Sequence, residues 1–193
     1  MARSGKGAGK NSRLRIIGGQ WRGRRLSFTP AEGLRPTTDR VRETLFNWVA
    51  LQLPGARCAD LFAGSGALGL EALSRGASHC DFVDTSDRAL TQIHQHLLLL
   101  GADAAGCCHT TSALHFLQTA SQKYDLVFID PPFGGALVQP VCALLAENDL
   151  LAQGALVYVE TALHDPPPDT PPGWSLHRDK AAGGVAYRLF TVD

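Results

Sequence analysis

The chain has no apolar run approaching the ~18 residues of a membrane span, and no apolar leader opens it. A membrane protein and a secreted one are therefore disfavoured, and a cytoplasmic location is expected. Its five cysteines are odd in number and include no C-x-x-C pair, with Cys107 and Cys108 adjacent. That spacing builds neither a disulfide framework nor a zinc cage, so the compartment is expected to be reducing and the two adjacent cysteines to be strand filler. No metal is expected either: His94 and His96 sit two apart on a predicted helix and point to different faces. No internal repeat occurs, and acids are missing from the first 25 residues.

What is present is an uneven distribution of charge. Residues 1–48 hold eleven Lys and Arg against three acids, a balance of +8, and residues 49–193 hold seven against fifteen, a balance of −8. Eight of the basic residues fall in the first 25. A one-signed segment on an acidic body suits a polyanion, because Lys and Arg neutralise phosphates and release counterions; a plain solubilising tail is the alternative.

Residues 1–13 are Gly-, Ser- and Lys-rich without periodicity and read as a disordered basic tail. Residues 14–193 read as one domain, opened by a basic hairpin extension over 14–35 in which arginines interleave with short apolar runs. Trp21, among Arg22, Arg24 and Arg25, either stacks on a base or anchors the hairpin. An amphipathic helix follows, with Thr38 as N-cap and Val41, Leu45, Trp48 and Val49 on one face. From "ARCADLFA" onward strands and helices alternate, ending at the apolar strands "YDLVFID" and "GALVYVE". The proline-rich "HDPPPDTPPG" reads as a stiff loop, and two strands follow around Gly183 and Gly184. The pattern implies an α/β fold: a Rossmann-like, mainly parallel seven-stranded sheet, helices on both faces and an antiparallel C-terminal strand pair.

"GSGALG", residues 64–69, satisfies the dinucleotide fingerprint G-x-G-x-x-G, and Asp84 follows at the spacing of a ribose-binding acid. The lead-in argues for another cofactor. Asp60, four residues before Gly64, would repel a pyrophosphate and suits an ammonium. S-adenosylmethionine carries an ammonium and a sulfonium and no phosphate, and its ribose still requires an acceptor such as Asp84.

Asp130-Pro131-Pro132-Phe133 closes the strand "YDLVFID". Prolines there also serve simply to end a strand. The whole set suits a conjugated exocyclic amine on a nucleobase. The Asp130 carboxylate and the Pro131 carbonyl would accept its two hydrogens, the prolines would hold that carbonyl outward, and Phe133 would stack on the base, a contact worth ~1–3 kcal/mol. Methyl transfer would then rest on positioning, without a metal.

With "RIIGGQWRGRRL", "RPTTDRVRETLFNW", "DLFAGSGALGLEALSRGA", "DPPF" and "WSLHRDKAAGGVAYRLF" in this order, the chain resembles the RsmD family of 16S ribosomal RNA guanine methyltransferases, of the class I S-adenosylmethionine-dependent type. The resemblance implies methylation of the 2-amino group of one guanine in 16S rRNA of the small ribosomal subunit, by an enzyme expected to act as a monomer. It places Gly64 and Gly66 under the methionine end of the cofactor and Asp84, with Thr85, at the ribose. Ser112 or Ala113 takes the adenine, in place of the acid common at that point, and Arg35, Thr37 and Thr38 lie near the pocket. The RNA-facing set is then Arg13, Arg15, Arg22, Arg24, Arg25, Arg35 and Arg42. Two alternatives stay open: an adenine 6-amino methyltransferase acting on DNA or RNA, and a non-catalytic RNA-binding assembly protein. A nicotinamide dehydrogenase is the least favoured reading of the glycine loop.

Overall fold

The computed structural model describes residues 12–29, 38–132 and 136–193. Its first two strands, β1 (Ser12–Arg15) and β2 (Arg25–Phe28), pair antiparallel with Ser12 opposite Phe28 and Arg15 opposite Arg25. Side chains alternate along a strand, so Leu14, Leu26 and Phe28 turn into the core while Arg13, Arg15 and Arg25 face outward. The pairing begins at Ser12. Ser12 and Arg13, expected to belong to the basic tail, are thus part of the ribbon, because Phe28 and Ser27 supply their partners. The rest of the expected tail, residues 1–11, and positions 30–37 lie outside the described residues.

Helix α1 (Asp39–Trp48) starts where expected, the Thr38 hydroxyl accepting the Val41 amide at 3.4 Å. The α/β alternation then runs β3 (Arg57–Asp60), α2 (Ala67–Ser74), β4 (His79–Asp84), α3 (Asp87–Leu100), β5 (Gly106–Thr110), α4 (Ala113–Thr119), β6 (Tyr124–Ile129), α5 (Val138–Glu147), β7 (Leu151–Ala162), β8 (Trp174–Ala182) and β9 (Val185–Val192). One seven-stranded sheet forms in the order β5-β4-β3-β6-β7-β9-β8. Neighbours from β5 to β7 are parallel, and β9 inserts antiparallel between β7 and β8.

Strand order reverses between β3 and β6, which opens a crevice at their carboxyl ends, the ordinary ligand position in such sheets. Alternation along β6 feeds two cores: Leu126 and Phe128 join the ribbon, α1, α2 and α3, whereas Val127 and Ile129 join α4 and α5. Cys107 is exposed and Cys108 half-buried, against the expectation of buried filler, because β5 is the edge strand and leaves them uncovered. Among the described residues, no helix is long and apolar enough to cross a membrane.

The ribbon is fastened to α2 by a carboxylate that sequence reasoning passed over. Glu71 is fully buried and accepts the backbone amides of Ile17 at 2.8 Å and Gly18 at 2.7 Å and the Arg75 guanidinium at 2.7 Å. Arg42 lies 3.7 Å away on the same carboxylate. Ser74 adds three bonds: its hydroxyl donates to the Gly18 carbonyl at 2.6 Å and accepts the Trp21 amide at 3.1 Å, and its carbonyl accepts the Gln20 amide at 2.7 Å. Removing one partner of a buried ion pair costs far more than the pair contributes, since the other charge stays buried. Glu71→Ala is expected to lower stability by ~3–5 kcal/mol in urea denaturation. Glu71→Gln, which still accepts an amide, is expected to lose less.

Candidate active site

The glycine loop joins β3 to α2. Gly66, the residue before α2, has φ of 76°, a left-handed conformation that a side chain would strain. Gly69 serves packing instead: a Cβ there would lie 2.2 Å from the Phe82 ring on β4. A glycine at the helix start offers no side chain to cap the free amides. Asp60 does so from β3, accepting the Gly69 amide at 3.0 Å. Asp60 is buried, with part of its carboxyl used by that amide. Burial raises its pKa to about 7, with the Gly69 amide opposing the shift and the Asp84 charge adding to it.

Asp84, at the end of β4, is half-buried and braces the loop from the other side: Oδ2 accepts the Gly64 amide and Oδ1 the Ser86 amide, each at 2.8 Å. Thr85 beside it is exposed. Ser112 caps α4 by accepting the His115 amide at 3.2 Å, and Ala113 is buried behind it. Asp130 and Pro131 leave β6 across the crevice from the glycine loop, with Asp130 half-buried, Pro131 buried and Pro132 exposed. Phe133, like Arg35 and Thr37, lies outside the described residues. The carboxyl edge of the sheet therefore gathers Asp60, Asp84 and Asp130, and Thr38 sits at the start of α1. Glu160, near the end of β7, is buried and accepts the Tyr158 hydroxyl at 2.8 Å.

Of the arginines assigned to RNA, Arg13, Arg15, Arg22, Arg24 and Arg25 are exposed, with Arg15 paired to Asp39 at 3.2 Å. Arg42 does not belong with them. It is 1% exposed and donates to the Arg15 carbonyl at 3.0 Å and to Asp39 at 2.6 Å, so its charge is used inside the fold, close to Glu71. Trp21 is buried and packs in the core, which leaves the anchoring role of the two considered. His94 is exposed and His96 buried, bonded to the Ser27 carbonyl at 3.1 Å, on different faces as expected. At the far side of the sheet Asp81 gathers His79, His109, Arg57 and Tyr124 at 2.8–3.3 Å.

A seven-stranded sheet with one inserted antiparallel strand, and a glycine loop facing an acid-Pro-Pro segment across the reversal point, define the class I methyltransferase fold. The family described as Conserved hypothetical protein 95 matches residues 14–191. Ribosomal RNA small subunit methyltransferase D of Escherichia coli strain K12 is 48% identical over 180 residues, 93% of this chain and 90% of that protein. The protein of the same name from Haemophilus influenzae is 43% identical, covering 92% and 93%. Among solved structures, the E. coli "putative methyltransferase yhhF" superposes with a TM-score of 0.86 at 44% identity, covering 94% of this chain and 99% of that one. An RNA methyltransferase of Salinibacter ruber in complex with S-adenosyl-L-homocysteine shares the fold, with a TM-score of 0.60 at 15% identity. The chain belongs to the RsmD family and is a methyltransferase.

The raised pKa of Asp60 carries a pH signature. The folded state holds this proton more tightly than the unfolded one, so stability from this group is full at low pH and falls as pH rises from about 4 to about 7. In urea unfolding across that window, Asp60→Asn is expected to lack this decline, and its stability relative to the wild type should rise with pH.

Proposed function

We propose that the enzyme transfers a methyl group from S-adenosylmethionine to the 2-amino group of a guanine in 16S rRNA of the small ribosomal subunit, with Asp130 and Pro131 holding the amine. The observation that carries this reading is the placement of the Asp130-Pro131-Pro132 segment at the strand reversal, opposite the glycine loop. The described residues around that loop fit the cofactor. They offer carboxylates and backbone groups that suit hydroxyls and a cation. Asp84 already accepts two amides, and a carboxylate has about four lone-pair positions, so it can take ribose hydroxyls as well. When bound, S-adenosylmethionine supplies an electrophilic methyl group on a sulfonium.

The chain's own residues then act on the amine. Asp130 and the Pro131 carbonyl accept its two hydrogens, which turns the nitrogen lone pair towards the methyl carbon. As the nitrogen–carbon bond forms and the carbon–sulfur bond breaks, the amine sheds one proton, and Asp130 is placed to receive it. Phe133 is the stacking surface in this reading. The exposed arginines of the ribbon, Arg13, Arg22, Arg24 and Arg25, grip the RNA backbone, and Ser112 and Ala113 border the cofactor's adenine.

Asp130→Ala is expected to reduce methyl transfer to unmethylated small subunits by ~10²–10⁴-fold, with cofactor affinity by calorimetry within a few-fold of the wild type. Parallel loss of both would make Asp130 structural, and retained transfer would remove it from the chemistry. Replacing Arg22, Arg24 and Arg25 by Ala is expected to weaken binding to the small subunit. For every phosphate these arginines neutralise, the slope of log affinity against log salt should become shallower by ~0.7–0.9, with cofactor affinity unchanged.

A further inference from the structure

We infer that Glu160 is the residue that selects guanine, accepting the N1–H of the target base beside the amine held by Asp130. The inference rests on the reading of Asp130 given above and adds a second point of contact on the same base edge.

The placement follows from the register of the sheet. Ile129 of β6 is paired with Val159 of β7, so Asp130 and Glu160 follow side by side on adjacent parallel strands, whose spacing is ~4.8 Å. Alternation puts both on the face that carries Phe128 and Tyr158, whose rings lie 6.4 Å apart. Glu160 is buried, and the Tyr158 hydroxyl donates to its Oε2 at 2.8 Å. Burial and the charges of Glu160 and Asp130 push the Tyr158 phenol well above its ordinary range, so it remains a donor. A carboxyl group has acceptor positions for more than one hydrogen.

Base chemistry supplies the specificity. In guanine the 2-amino group and the N1–H are adjacent on one edge and both donate, so two neighbouring carboxylates match them. In adenine the atom beside the 6-amino group is an unprotonated N1, an acceptor. Set against Glu160 it would leave two acceptors facing each other in a buried site, which the enzyme rejects. Asp130 alone suits either amine; Glu160 breaks the tie.

The test crosses two enzymes with two bases. Small subunits are reconstituted with 16S rRNA that carries, at the nucleotide mapped as methylated, either guanine or 2,6-diaminopurine, which keeps the 2-amino group and lacks the N1–H. The wild type is expected to prefer guanine by at least about tenfold in kcat/KM. Glu160→Gln, whose amide N–H can donate to the diaminopurine N1, is expected to shrink or invert that preference while cofactor affinity and melting temperature stay near the wild type. Glu160→Asp keeps the acid and should keep the preference at a lower rate. Equal use of both bases by the wild type would overturn the assignment without any variant, as would an unchanged preference in Glu160→Gln. Failure of the Asp130 reading is recognised separately, by retained transfer in Asp130→Ala.

Discussion

One buried carboxylate joins the N-terminal ribbon to the rest of the fold. Glu71 sits in α2, the helix that begins at the glycine loop, and its oxygens are occupied by the turn of the N-terminal ribbon and by Arg75. A buried carboxylate is tolerable only when its charge and lone pairs are met, and backbone amides of the ribbon meet part of that need. The ribbon cannot leave without stranding the charge. The arginines it displays are therefore fixed relative to the helix that begins at the glycine loop, as the proposed RNA grip requires.

The carboxyl edge of the sheet divides its acids between structure and chemistry. Asp60 is used within the fold, capping a helix that begins at a glycine and has no cap of its own. Asp84 does two tasks, bracing Gly64 and remaining half-exposed to a ligand. Asp130 and Glu160 follow the paired Ile129 and Val159 on neighbouring strands, where the proposed reading brings in the base. In the proposed reading the half-buried Asp84 and Asp130 make this edge better suited to cationic and N–H groups than to phosphates. The exposed arginines lie on the ribbon and the acids at the sheet edge, so the two signs of charge are carried by separate elements.

Much of this is legible in the sequence because local patterns settle it. Strand-helix alternation and the Thr38 cap depend on residues near one another in the chain, and both appear in the structure where expected. The glycine turn before α2 and the end of β6 at Ile129 are readable for the same reason. What escapes is decided at long range. Arg42 looks like one more surface arginine beside its neighbours, and only the approach of Glu71, Asp39 and the Arg15 carbonyl makes it internal. The bond from the Gly69 amide to Asp60 is likewise not visible in the local pattern. Cys107 looks like filler because edge position is a property of the whole sheet, and Glu160 gains its meaning only from its register with Asp130.

Nucleoside mass analysis tests the chemistry most directly. Small subunits lacking the modification are incubated with the purified enzyme and S-adenosylmethionine carrying an isotopically labelled methyl group, and the 16S rRNA is digested. The label is expected in N2-methylguanosine at a single position. Label in N6-methyladenosine, or none in the RNA at all, would contradict it.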